Sequence, residues 1–316
     1  MTHRWGIAST GNIAAAFARS LVKVPDAELV AVGSRSRETA SRFASDHGVP
    51  VAHGSIIDLA ADPSVEVVYV AGVNTVHAEH AVLLAEAGKH LLVEKPVAMN
   101  TAEFDTMVAA ARANDVFLME AMWMRFNPLH SELVRRIGSG EFGPVERVES
   151  DFSFGRPVDP AHRLFDPALG GGSLLDVGIY PLTLAWWLLG EPGSVEATVG
   201  MGPTGVDTSV RLDMGWDGGT TAALTCGSTV EGPRTSVITC AGARIEIPAP
   251  SHAASTATVR FGDGRTEEVS AVPASLHHQV LEVHRCLEAG LAESPRMPHA
   301  ESRAVLGFME RVLAGR

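Results

Sequence analysis

The feature that most restricts the fold is a rhythm. Between residues 5 and 119, short apolar runs (5–8, 27–33, 65–70, 90–93 and 116–119) alternate with longer stretches (13–21, 39–47, 77–87 and 102–113). Apolar residues in the stretches recur at three- and four-residue spacing, the period of a helix with one buried face. The runs are short and mainly apolar, as in the strands of parallel βαβ units. Strands that alternate with helices lie parallel, so residues 1–122 are expected to form an α/β, doubly wound parallel sheet. After Trp123 the pattern changes. Strand-like segments at 145–154, 194–201, 208–216, 220–229, 235–240, 244–247, 256–261 and 266–269 follow one another. Several are joined by tight glycine turns such as Asp217-Gly218-Gly219 and Asp263-Gly264. That is hairpin chemistry, and residues 123–299 are expected to be an α+β domain with an open, mainly antiparallel sheet. Helices at 173–189 and 275–289 are expected on one face of that sheet. A last helix, within 300–316, is expected to pack back on the first domain.

At 316 residues the chain exceeds what one hydrophobic core organises, which agrees with two domains. The formal charge of -12 repels polyphosphate backbones and anionic lipid surfaces. Nucleic acid and membrane are therefore not expected as partners, and any bound phosphate must be held by local donors. The three cysteines, Cys226, Cys240 and Cys286, are scattered and make neither a disulfide framework nor a thiolate metal site. They fit a reducing compartment. No apolar run reaches the roughly 18 residues that would span a bilayer. The expected location is cytoplasmic.

The first strand runs into Ser9-Thr10-Gly11-Asn12-Ile13-Ala14 and then a helix. A strand, a turn of small residues and a helix N-terminus offer free amides to a pyrophosphate. Against G-x-G-x-x-G/A, Ser9 replaces the first glycine and Ala14 the last, so a plain strand-to-helix turn is the competing reading. The end of the second strand reads Gly33-Ser34-Arg35-Ser36-Arg37, where NAD-selective folds carry an acid for the ribose 2′-hydroxyl. A hydroxyl with the guanidinium groups of Arg35 and Arg37 suits a dianionic 2′-phosphate instead. NADP is thus expected over NAD, the alternative being a solvated basic turn.

Lys95 follows the fourth apolar run in Glu94-Lys95-Pro96, at the carboxyl end where parallel sheets bind ligands. A lysine there supplies a fixed cation or a proton donor, or is a surface charge. Further on, Leu169-Gly170-Gly171-Gly172-Ser173 leads into Asp176 and Tyr180. Four residues apart, these two share one helix face. A phenol with a pKa near about 10 becomes useful at neutral pH when an ammonium stands beside it. Lys95 is a candidate for that ammonium, and Asp176 for orienting it or holding a substrate hydroxyl. The competing reading is an acid complementing the helix dipole with a packed aromatic behind it. Trp123, Phe126 and Phe152 are candidates for an apolar wall, or for core. His77 and His80 have an H-x-x-H spacing without acids or thiolates nearby, and no metal is expected.

Gly6-Ile7 with Gly11-Asn12-Ile13, then Asn74-Thr75-Val76-His77, Glu94-Lys95-Pro96, 119–126 and the Asp176 to Tyr180 segment stand in a recognisable order. The chain resembles the glucose-fructose oxidoreductase and inositol dehydrogenase family over nearly its whole length. Within that family it most resembles the dimeric dihydrodiol dehydrogenases and their xylose dehydrogenase relatives. The resemblance implies a Rossmann domain followed by an open sheet whose exposed face often forms an oligomer interface, so a homodimer or homotetramer is expected. It implies the catalytic lysine at Lys95, with Asp176 and an acid/base at Tyr180, where inositol dehydrogenase-like members have histidine. It also implies cofactor contacts at Ser9, Thr10, Gly11, Asn12, Ile13, Ser34, Arg35, Asn74, His77, Glu94, Lys95, Trp123 and Arg125. Gly72 is added to these, standing with Val73 where Thr-Pro is common; Ser9 is the other departure. Substrate contacts are expected at Lys95, Trp123, Phe152, Asp176 and Tyr180. The expected reaction is hydride transfer between NADP and a carbinol or carbonyl carbon of a sugar, polyol or trans-dihydrodiol. The rivals are a glycoside hydrolase using tightly held NAD and a non-catalytic NADP-binding regulator.

Overall fold

A computed structural model describes residues 2–315. The chain divides into two compact units, Met1–Trp123 with Ser275–Leu306 and Met124–Ala274 with Gly307–Arg316.

In the first unit, β1 (His3–Ala8), β2 (Ala27–Gly33), β3 (Val51–His53), β4 (Val67–Val70), β5 (His90–Glu94) and β6 (Leu118–Ala121) form one parallel sheet in the order β3-β2-β1-β4-β5-β6. This is the doubly wound arrangement expected from the rhythm. Helices α1 (Asn12–Leu21), α2 (Arg37–His47), α3 (Ile56–Ala61), α4 (His77–Glu86) and α5 (Thr101–Ala113) connect the strands. Ala14, Phe17, Ala18 and Leu21 turn the buried face of α1 toward the sheet. Asn100 starts α5 in a reciprocal cap, accepting from the Glu103 amide at 2.9 Å while its own amide group donates to the Glu103 carboxylate at 2.9 Å. β3 and α3 were not anticipated. Three partly exposed edge residues carry no apolar run, and a six-residue helix shows too little of its period.

A larger correction concerns α8 (His277–Glu288), expected on the second sheet. It belongs to the first unit, with Ser275 hydrogen-bonded to Ser20 at 2.8 Å and His284 accepting the Trp5 indole N–H at 3.0 Å. The buried stripe of Val280, Val283 and Cys286 is legible, but a stripe does not say which sheet it will meet. The start of α9 (His299–Ala314) is tied to the same unit by the His299 ring on the Leu118 carbonyl at 2.8 Å and by a two-pronged Arg303–Asp105 pair.

The second unit contains α6 (Pro128–Gly138), β7 (Val145–Ser153), α7 (Ile179–Leu189), β8 (Ser194–Met201), β9 (Asp207–Gly215), β10 (Thr221–Gly227), β11 (Ser236–Cys240), β12 (Ala243–Ile247), β13 (Thr256–Phe261) and β14 (Thr266–Ser270). The sheet order is β14-β13-β12-β11-β7-β10-β9-β8, antiparallel except where β10 runs parallel to β7. Val210, Leu212, Ala222, Leu224, Ile238 and Ile245 point to the face that α7 covers. The other face carries ion pairs such as Arg147–Glu149, Arg211–Asp213 and Arg244–Glu246. One stretch, Pro167–Leu189, is apolar and long enough to cross a membrane, contrary to the expectation that no run is. Its most apolar window is 83% buried inside the protein, because α7 is the core helix of this unit.

Candidate active site

The nucleotide side is built in the first unit. α1 starts at Gly11, whose conformation is extended and which supplies no side-chain cap. The Ser9 hydroxyl instead bends back to accept the Gly11 amide at 3.2 Å. The first amides of α1 are thereby left to a ligand at the positive end of the helix, and Gly11, Asn12 and Ile13 around them are exposed. Past β2, Ser34 shares a hydrogen bond with Thr39 at 2.8 Å and Ser36 caps α2, while Arg35 and Arg37 are exposed. Neither arginine enters an ion pair among the described residues. These groups fit a dinucleotide: a bare helix start for pyrophosphate, and uncommitted cations where an NAD-selective fold carries an acid.

The turn after β5 is held with unusual thoroughness. The Lys95 amide donates to the Glu94 carboxylate at 3.2 Å, the Pro96 carbonyl faces the His77 ring at 2.9 Å, and the Val97 amide donates to Glu120 at 3.1 Å. Three buried titratable side chains thus fix the two peptide units that flank Lys95-Pro96, the one before Lys95 and the one after Pro96. Glu94 also accepts the Tyr69 hydroxyl, and the Tyr69 ring stacks on Phe17 with centroids 3.8 Å apart. The bond before Pro96 is cis. His77, expected to touch the cofactor, is wholly buried, and its second ring nitrogen lies 3.2 Å from the Gly72 carbonyl. Burial pushes it down to about 4, so the ring is neutral and donates only one N–H. The shorter contact, to Pro96, is the better hydrogen bond. His77 is a strut between the Gly72 loop and the Lys95 turn. Burial pushes Glu120 the opposite way, from 4.5 to about 7, with Glu94 and Glu301 adding repulsion. Asn74 is buried at the start of a short turn after β4, and Trp123 is half-buried after β6. No group of three or more His, Cys, Asp or Glu is arranged for a metal among the described residues.

The second unit carries Asp176 and Tyr180. The expected helix from 173 begins as a wider π turn, Leu174–Gly178, before becoming α7. Pro181 has no amide to give the preceding turn, which is where the ladder widens. Glycines feed this start: a Cβ on Gly171 would lie 2.7–2.9 Å from the carbonyl oxygens of Arg163, Leu164 and Asp166. Asp176 pairs with Arg163, Nη1 to Oδ1 at 3.2 Å. Tyr180 lies in a ring cluster, 5.4 Å from Phe152 and 4.9 Å from His252, with His252 stacked on Phe152 at 4.3 Å. Burial beside His252 pushes His130 down to about 4, and neither His130 ring nitrogen has a partner among the described residues. Arg125 is buried, its guanidinium 4.3 Å above the Trp187 ring. Phe126 is core. Of the residues expected to touch substrate, Asp176, Tyr180 and Phe152 lie in this unit, with the Tyr180 and Phe152 rings in contact, whereas Lys95 and Trp123 belong to the first unit. Arg163 and His252 were missed. Both sit in irregular segments with no periodicity or motif to mark them.

Two family models cover most of the chain: an oxidoreductase family with NAD-binding Rossmann fold over residues 3–122, and the GFO/IDH/MocA C-terminal domain over 130–247. The chain is 34% identical to the trans-1,2-dihydrobenzene-1,2-diol dehydrogenase of Danio rerio, across 98% of this chain and 96% of that protein. Solved structures share the fold. A 3-ketoreductase from Actinomadura kijaniata in complex with NADP and TDP-benzene superposes with a TM-score of 0.88 at 23% identity, covering 100% of this chain and 98% of that one. A levoglucosan dehydrogenase in complex with NADH and levoglucosan does so at 0.90 and 19% identity, covering 100% and 97%. With its two domains in family order and whole-length identity above a third to a curated dehydrogenase, the chain belongs to the GFO/IDH/MocA family of oxidoreductases.

Proposed function

We propose that this protein is an NADP-dependent dehydrogenase or reductase acting on a carbinol or carbonyl carbon of a sugar, polyol or trans-dihydrodiol. The observation that carries the reading is the Asp176–Tyr180 pair, one turn apart at the start of a buried helix, with the Tyr180 ring against those of Phe152 and His252. A phenol and a carboxylate beside flat apolar faces suit a hydroxyl-bearing carbon on a ring. The NADP preference is supported by Ser34, Arg35 and Arg37 standing where an acid would select NAD. Relatives of the same build carry NADP in one case and NADH in another.

In the oxidative direction, Tyr180 takes the proton of the substrate hydroxyl. Lys95 is the proposed catalytic lysine, contributing a fixed positive charge to the reaction, and Asp176 accepts a hydrogen bond from a neighbouring hydroxyl to set the orientation. The nicotinamide, when bound, supplies the hydride acceptor or donor. The amides of Asn12 and Ile13, with Ser9, Thr10 and Gly11 around them, hold the pyrophosphate; Ser34, Arg35 and Arg37 hold the 2′-phosphate; Gly72, Asn74, Glu94, Trp123 and Arg125 line the remaining length. His77 acts through Gly72 and Pro96. The polar outer face of the second sheet is the proposed contact for a homodimer or homotetramer.

The test is a panel of aldoses, inositols, anhydro-ketoses and aromatic trans-diols assayed with NADP(H) and NAD(H), for the native protein and Tyr180→Phe. The variant is expected to lose about 10²–10⁴-fold in kcat while NADPH binding is retained. Full activity in Tyr180→Phe rejects the assignment.

A further inference from the structure

Arg163 has no place in the mechanism above, yet its guanidinium lies against the carboxylate of Asp176. The contacts are Nη1 to Oδ1 at 3.2 Å, Nη2 to Oδ1 at 3.3 Å and Nη2 to Oδ2 at 3.4 Å. The two side chains differ in setting. Asp176 is 12% exposed and Arg163 50% exposed, so a largely dehydrated carboxylate is met by a cation reaching in from the solvent side. Arg163 has no other ion-pair partner among the described residues.

We propose that Arg163 is a positioning residue that holds the Asp176 carboxylate aimed at a substrate hydroxyl. The inference rests on the reading of Asp176 and Tyr180 given above. The loop is ordered enough to do this. Next to Arg163, Leu164 and Phe165 are buried against Val206 and Phe154. The Leu164 carbonyl accepts the Gly172 amide at 3.0 Å, and the Asp166 carbonyl accepts the Gly171 amide at 3.0 Å. Those bonds bring the loop onto the glycine run that leads to Asp176, so little freedom is lost when the pair forms. A carboxylate has about four lone-pair sites, and the long, shared contacts from Arg163 leave capacity for a substrate O–H. Removing the guanidinium takes away contacts that fix the carboxylate plane, and rotation of that group costs substrate orientation.

The experiment measures kcat, KM and NADPH affinity for Arg163→Ala, Arg163→Lys and Tyr180→Phe, with thermal unfolding as a check on folding. Arg163→Ala is expected to lose about 10- to 100-fold in kcat/KM from misorientation, with NADPH affinity unchanged and a single cooperative unfolding transition retained. Arg163→Lys should recover part of that loss, and sub-denaturing guanidinium ion should restore turnover to Arg163→Ala but not to Tyr180→Phe. In an Asp176→Asn background, Arg163→Ala should add no further loss, because the two act as one unit. Native kinetics in Arg163→Ala, or a loss that neither lysine nor guanidinium rescues, overturns the inference. Tyr180→Phe separates the two failures. If it is inactive while Arg163→Ala is native, only Arg163 is misassigned. If it is fully active, the underlying reading falls and this inference with it.

Discussion

Glu120 offers a sharp physical test of how the Lys95 turn is held. Its carboxyl is buried on β6, accepts the Val97 amide at 3.1 Å and interacts with Ser302, while Glu94 and Glu301 repel its charge. Burial raises it from 4.5 to about 7. A group raised on folding binds more protons in the native state between those two values, so it contributes stability at low pH that is lost as pH rises through about 7. With about 1.36 kcal/mol per unit, the linkage between pH 5 and 8 is on the order of 2–3 kcal/mol. Glu120→Gln keeps an acceptor for Val97 and cannot ionise. Denaturant unfolding of both proteins across that range should show the variant gaining on the native protein by an amount on the order of 2–3 kcal/mol, mostly between pH 5 and 7. Taking the difference cancels titrations common to both, including His77 and His130. A difference that stays constant with pH refutes the assignment of a neutral buried carboxyl.

Two more expectations test other parts of the site. Arg35→Ala should weaken NADPH binding about 10- to 100-fold, the worth of a charge-assisted hydrogen bond to phosphate, and leave NADH binding nearly unchanged in fluorescence titrations. Equal weakening of both would remove Arg35 from the 2′-phosphate. Gly171→Ala should cost about 1–3 kcal/mol or more, because its Cβ meets backbone carbonyls that cannot swing away. An unchanged unfolding temperature would show that the loop yields there.

What could be read from residues alone follows the reach of each signal. Continuous apolar runs such as 67–70 and 90–93 report burial on both faces, and that property belongs to a parallel sheet wherever the strand sits. The spacing of Asp176 and Tyr180 survives the π turn, since both a wide and a regular turn keep residues four apart on one side. α8 was misplaced because amphipathicity records that a face is covered and not by what. Arg163 and His252 were invisible for a related reason. A loop has no period, and its side chains acquire neighbours only through contacts such as Gly171 and Gly172 on 164–166. His77 shows the opposite limit, a motif residue whose place beside the cofactor loops is local but whose full burial is a tertiary fact.

The clamp on the Lys95 turn separates scaffold from reagent. The peptide groups are held by Glu94, His77 and Glu120 through contacts to the backbone of residues 95–97, which any side chain at position 95 leaves in place. Position 95 can therefore drift in the course of evolution without the backbone around it collapsing. A lineage that lost the lysine would retain a shaped nucleotide cleft, and a descendant with a new residue there would inherit a ready mounting for a different chemistry.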